Sequence, residues 1–293
     1  MNASFGIDHP LVATHDIGGL RARLIAMGFN MTAIGKHPWG TSTSLAMFDG
    51  CLLEIMGIYD ETLIDAVPAG DFRFGRHVWA HLQQREGVAL TALHSTNSRA
   101  DAETAAKAGF TVAGHLVFGR DVTLPDGTTD RTKTTLALLP DNTFSRLSFF
   151  LCQQHRPELI YVPEWLVHPN KVYGICGVNI VARPAHHAAL ITRFGGLYGD
   201  AERSGGCTTF TTANGALRIF DPDTFRHQIG PLPVSNAQEG TPYICGMDFD
   251  MADPQTLAGF LVDSGTGYVE IPDGFALTDP CRTANTVFRF IKS

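Results

Sequence analysis

The sequence has no CxxC pair, no glycine-rich phosphate loop and no nucleophile elbow. It also lacks any apolar run near the roughly 20 residues that a membrane helix needs. These absences remove zinc ribbons, nucleotide-dependent chemistry, serine hydrolysis of the α/β type and a helical membrane span from consideration. Positive charge is also short: 22 Lys and Arg stand against 29 Asp and Glu, a formal net charge of −7. A general nucleic-acid binder needs a basic face to release counterions from phosphates, so that class is set aside as well. The opening Met1-Asn2-Ala3-Ser4-Phe5 lacks the basic and then apolar order of a secretory signal, and a cytoplasmic protein is the expectation. Six cysteines lie scattered at 51, 152, 176, 207, 245 and 281, mostly in or beside apolar strand-like runs. They are expected to be reduced and buried rather than cross-linked.

What the chain does contain is one pattern written four times: an apolar strand, an amphipathic helix ending near glycine, then three short strands. The first copy runs from Ile7-Asp8-His9-Pro10-Leu11-Val12-Ala13 through a helix to Gly28-Phe29 and closes on Cys51-Leu52-Leu53-Glu54-Ile55. The second starts at Val88, passes a helix ending at Gly109-Phe110 and closes on Phe149-Phe150-Leu151-Cys152. The third and fourth begin at Gly177-Val178-Asn179 and Ile244-Cys245-Gly246-Met247. Turn signals such as Asp49-Gly50 and Pro125-Asp126-Gly127 separate short apolar runs that read as antiparallel strands with one buried face. The fold expected is α+β: two domains, each of paired βαβββ modules, with curved, mostly antiparallel sheets around a cavity and helices outside. The domains are expected at 1–160 and 161–293, joined by a Pro-spaced stretch whose Ile160, Tyr161, Trp165 and Leu166 are too apolar for a floating tether.

A paired strand–helix–three-strand module resembles the vicinal oxygen chelate superfamily, which includes glyoxalase I, extradiol dioxygenases and metal-free bleomycin-binding proteins. The residues that carry the resemblance are Gly6-Ile7-Asp8-His9-Pro10-Leu11-Val12-Ala13 and Leu52-Leu53-Glu54-Ile55. His37-Pro38-Trp39-Gly40-Thr41, Phe149 through Glu158 and His168-Pro169-Asn170 are more narrowly similar to two-domain glyoxalase-like proteins. The resemblance implies a divalent metal (Zn, Mn, Fe or Ni) held by side chains from the first and last strand of each module. It places His9 and Glu54 at two ligand positions of the first module. Imidazole and carboxylate suit those ions, and a lone carboxylate between Leu53 and Ile55 is costly to bury without a partner. His37 and Trp39 are expected at the cavity mouth as substrate contacts.

The second module departs from the pattern. Counting back from the helix-ending glycine, the partner of His9 is Leu90 and that of Glu54 is about Cys152. The rest of a metal site would have to come from Cys152, Gln153, His155 or His94; His155 is the choice, with Gln153 as a substrate contact. In the C-terminal domain Val178, Ile219 and Met247 stand at the expected points, with Arg218 and Arg289 close by, so no metal is expected there. That domain reads as a structural element, a wall of the site or a homodimer interface. The His186-His187 pair reads as surface.

Two functions follow from the resemblance. One is a divalent-metal enzyme, of isomerase, lyase or dioxygenase type, acting on a small molecule with adjacent oxygens. The other is a metal-free small-molecule binding or sequestering protein using the same cavity. Both take a small molecule as partner, with no nucleic acid and no membrane.

Overall fold

A computed structural model of the chain describes residues 4–232 and 240–292. Each unit begins with a long, buried strand: Ile7–Ala13, Gly87–His94, Val172–Val181 and Tyr243–Met251. A helix follows each one, over Ile17–Ala26, Ser98–Lys107, Pro184–Tyr198 and Pro254–Asp263. Asp16, Asn97 and Asp253 cap three of these helices by accepting a backbone N–H of the first turn, which fixes where the chain leaves the sheet. Three further strands then complete each unit. The order βαβββ thus occurs four times, and it makes two eight-stranded sheets.

In each sheet the first strands of two units run antiparallel side by side at the centre. Each is flanked on its other side by the last strand of its own unit, in parallel: Leu11 pairs with Glu54 and Ala92 with Phe150. The second sheet repeats this, with Asn179 paired to Arg218 and Asp248 to Arg289. This is the expected α+β architecture of two curled sheets built from paired modules.

The helices sit differently from the simple picture of helices outside. Leu20 and Leu24, Ala102 and Ala105, Leu190 and Phe194, and Leu257 and Leu261 all share one apolar core with one face of both sheets. Phe29 and Phe48 of the N-terminal half meet Phe249 of the C-terminal half at ring-centre distances of 5.7 and 6.2 Å. The helices are therefore a filling between two sheets, and the opposite face of each sheet points away from that core. The stretch after residue 157 packs, as its composition suggested: Ile160, Tyr161, Trp165 and Leu166 cover Leu45, Met47 and Leu52. All six cysteines are free thiols; Cys51, Cys152 and Cys245 are buried, while Cys281 is exposed. His186 and His187 are half-buried, not surface residues: His187 Nε2 bonds the Ala182 carbonyl at 2.9 Å and His186 stands edge-on to Phe144.

Candidate functional site

The outer face of the first sheet holds a cavity of about 550 Å³. Its walls are aromatic and aliphatic, including His37, Trp39, Phe74, Phe118, Phe150 and Trp165. Its polar floor is His9 with Glu54, from two strands that neighbour each other in the sheet. His9 Nε2 lies 3.1 Å from Glu54 Oε2, and both side chains are less than a tenth exposed. Thr43, across the hairpin, donates its hydroxyl to the other Glu54 oxygen at 2.5 Å. We expect Thr43→Val to cost about 1.5–3 kcal/mol in a denaturant melt, the range for a hydrogen bond to a charged acceptor.

Asp8 belongs to this group, and alternation along a strand would have put it on the wrong face. The pairing slips between Ile7 and His9, so that Asp8 is the extra residue of a bulge. Its fully buried carboxylate faces His9 Nδ1 at 2.5 Å and His94 Nδ1 at 2.8 Å. His94 Nε2 in turn reaches the Gly50 carbonyl at 2.6 Å. His94 is thus a brace for Asp8 and Gly50. The bulge itself is clamped from the C-terminal half, where Asn214 accepts from Ile7 N–H at 2.7 Å and donates to its carbonyl at 2.8 Å.

The electrostatics follow from these contacts. Burial alone would lower His9, but bonds to Asp8 and Glu54 overcome it and raise the imidazole to about 9. Burial alone would raise Glu54, and the bond and charge of His9 hold it down at about 2. Asp8 is likewise held below the usual carboxylate range by His9 and His94 against the cost of burial. Burial pushes His37 the other way, to about 4, so it is neutral; its ring stacks on Trp39 at 4.7 Å and its Nδ1 meets the Thr41 hydroxyl at 2.9 Å. Trp39 is 1% exposed, and its indole N–H has no acceptor among the described residues.

Register settles which residues are equivalent between units. His9 pairs with Ala92 and Leu11 with Leu90, so Leu90 stands where His9 does, as counted from the glycines. Phe150, not Cys152, stands where Glu54 does, and it meets the His9 ring edge-on at 5.4 Å. The second half of the site is hydrocarbon.

His155 does not join the site. It lies one residue past the strand Phe149–Gln154, exposed, with Nε2 2.8 Å from the Thr135 hydroxyl. Its assignment as a ligand is corrected: the pleat and the strand end carry it away from the cavity. Gln153 points to the helix side, where it accepts from Ser98 N–H and donates to the Thr96 carbonyl. Its neighbour Gln154 lines the cavity instead. His37 and Trp39 do line it.

Among the described residues one group of three ligand-type side chains, Asp8, His9 and Cys152, brings its atoms within 4.8 Å of one another and could hold an ion. Within that group both Asp8 oxygens already face imidazoles, and burial pushes the Cys152 thiol well above its ordinary value, against thiolate formation. His9 Nε2 with Glu54 is the pair that opens on the cavity.

The C-terminal sheet also needs a one-residue correction. Its central pairs are Gly177 with Asp248, Val178 with Met247 and Asn179 with Gly246. The counterparts of His9, Glu54, Leu90 and Phe150 are therefore Gly177, Arg218, Gly246 and Arg289. Val178, Met247 and Ile219 point into the shared core.

Known proteins place this architecture. A structure of a hypothetical protein from Staphylococcus aureus superposes with a TM-score of 0.69 at 12% identity, covering 98% of this chain and 99% of that one. A triple mutant of 4-hydroxymandelate synthase from Streptomyces coelicolor gives 0.63 at 12% identity over 100% and 93% of the two chains. A xylose isomerase-like TIM barrel/4-hydroxyphenylpyruvate dioxygenase fusion protein gives 0.61 at 12% identity over 99% of this chain and 49% of that one. At such identities the likeness is one of fold. No curated protein matches the sequence. The sequence model of the glyoxalase-like domain matches residues 7–194, from the His9 strand into the first helix of the second half. With that match over most of its length, the chain belongs to the glyoxalase-like domain family.

Proposed function

We propose that the N-terminal domain is an enzyme acting on a small, flat, largely apolar molecule with two neighbouring oxygens, assisted by a divalent ion at His9 and Glu54. The observation that carries this reading is the 3.1 Å separation of His9 Nε2 and Glu54 Oε2 at the floor of an apolar cavity. Two ligands at about 2.1 Å from one ion, at right angles, stand about 3.0 Å apart. Asp8 supplies the outer carboxylate that fixes the tautomer of a ligating histidine. A nitrogen and an oxygen donor suit Zn, Mn, Fe or Ni. When bound, such an ion supplies Lewis-acid stabilisation of negative charge developing on substrate oxygen.

The chain's own residues do the remaining work. His37, Trp39, Phe74 and Phe118 form flat walls that favour an aromatic or conjugated molecule and exclude water. Phe150 and Leu90 offer no donor, which leaves the other coordination positions to substrate and water. Of the isomerase, lyase and dioxygenase steps this site could take, the names of two fold relatives, a 4-hydroxymandelate synthase and a 4-hydroxyphenylpyruvate dioxygenase fusion, favour a dioxygenase step on a hydroxylated aromatic compound.

A second reading has its own support: with Leu90 and Phe150 opposite, His9 and Glu54 already form a closed ion pair, which suits a metal-free binding cavity. One experiment separates the two. Catechol, a flat molecule with adjacent oxygens, is titrated into the protein with and without Mn(II), Ni(II) or Zn(II). Trp39 and Trp165 fluorescence and the metal retained after desalting are then measured. The enzyme reading expects catechol to raise retained metal toward one equivalent. Quenching by catechol alone, with metal at background throughout, would instead establish the metal-free cavity.

A further inference from the structure

The outer face of the C-terminal sheet carries a second cavity, of about 330 Å³, that does not use the N-terminal site. At the two places where the first sheet has Glu54 and Phe150, this one has Arg218 and Arg289. Both guanidinium groups are fixed from below by Asp248, which is fully buried. Arg289 holds it through Nε at 2.8 Å and Nη2 at 3.0 Å, Arg218 through Nη1 at 2.5 Å, and Asn179 donates to it at 2.7 Å. Gly177 makes this possible: a Cβ there would stand 2.3 Å from Arg218 Nη1 and 2.6 Å from Asp248 Oδ2. The residue at the His9 position has lost its side chain, and an arginine lies in its place.

Two guanidinium groups carry ten N–H donors between them. Three of these go to Asp248, and neither arginine makes another hydrogen bond among the described residues. Asp248 is already a fourfold acceptor, so its charge is spent on holding the forks in place and a surplus of positive charge faces the cavity. Ser204, Thr209 and Gln228 add polar groups to the wall, and Glu202, exposed on the edge strand, is the carboxylate at the rim. We propose that this cavity binds a small oxyanion, a carboxylate or a phosphate, between Arg218 and Arg289. Planar forks held in fixed positions are the geometry that recognises such groups bidentately.

Calorimetric titration of the full chain at low salt, in buffer free of divalent metal, tests this with inorganic phosphate, oxalate and malonate as probes. One saturable site is expected for at least one probe, weakening as salt is added. Phosphate binding alone would identify a phosphate site, and binding of the dicarboxylates alone a carboxylate site. Arg218→Gln is expected to lower affinity about 10- to 100-fold. Thr209→Met, which fills the cavity from the strand beside Arg218 and removes no member of the Asp248 network, is expected to abolish binding even if Arg218→Gln unfolds. Glu202→Gln is expected to tighten it. The absence of a saturable site for all three probes, or undiminished binding in Thr209→Met, would overturn the proposal.

Discussion

In the Glu54→Gln protein, divalent metal retained in the presence of catechol is expected to fall to background, and any turnover with it. Gln keeps the volume and can still accept from Thr43, so packing changes little. A neutral amide, however, is a far weaker ligand than a carboxylate. His9 keeps Asp8 as a partner, so the stability cost is expected to stay at roughly 1–3 kcal/mol, as for a disturbed buried polar group. Asp8→Asn is the informative contrast. It leaves both ligands in place but loosens the orientation of His9, and a 10- to 100-fold weaker metal affinity is the usual scale for losing an outer partner. Elemental analysis and thermal unfolding on the same samples check both. A stoichiometric metal load in Glu54→Gln would remove Glu54 from the ligand set.

The largest loss of stability is expected from Asp248→Asn. Its carboxylate lies at 0% exposure between two guanidinium groups, so the exchange leaves two cations sharing one neutral acceptor. Breaking a buried ion network from one side costs about 3–5 kcal/mol. Burial opposes ionisation of Asp248, but the charges and hydrogen bonds of Arg289 and Arg218 prevail and its carboxyl lies below the ordinary value. A lowered folded value means that the contribution is complete above the unfolded value near pH 3.9 and is lost as the pH falls through the lower folded one. Denaturant midpoints of wild type and variant should therefore differ most near neutrality and converge in acid below about pH 4. Equal midpoints at neutral pH would show that the arginines are held by other means.

The fourfold repeat was legible because each unit carries its own punctuation, a helix (side-chain capped in three units, opened by Pro184 in the other) between an apolar strand and glycine-marked turns. His9 and Glu54 were legible for the same reason: a polar residue in an apolar strand stands out. What failed was single-residue register. Positions counted from helix-ending glycines ignore bulges, and the pairing slips between Ile7 and His9, between Ile175 and Gly177 and between Asn179 and Ile180. One slip turns every later side chain to the other face. The slip at Ile7 hid Asp8, which regular alternation would send to the core. A turn glycine is no better a ruler: Glu54 lies four residues after Gly50 but Arg218 three after Gly215, so equal spacing points to Ile219 where Arg218 holds the position, and Gly177 rather than Val178 holds that of His9. The choice of His155 failed because the sequence does not mark where its strand leaves the sheet, and Gln153 was lost to a helix start that needed an acceptor.

The shared helix layer sets the economy of the whole molecule. Surfaces that a lone glyoxalase-like half would leave wet are here pressed together, and the rims of the two cavities open in opposite directions. Divergence can then proceed on each rim without disturbing the other, because neither cavity is lined by a buried residue of the shared core. The seam itself is a different matter: Asn214 of one half completes the backbone ladder beside the bulge that aims His9 in the other. A chain cut within the 157–172 connection would separate a working face from the splint that keeps it true.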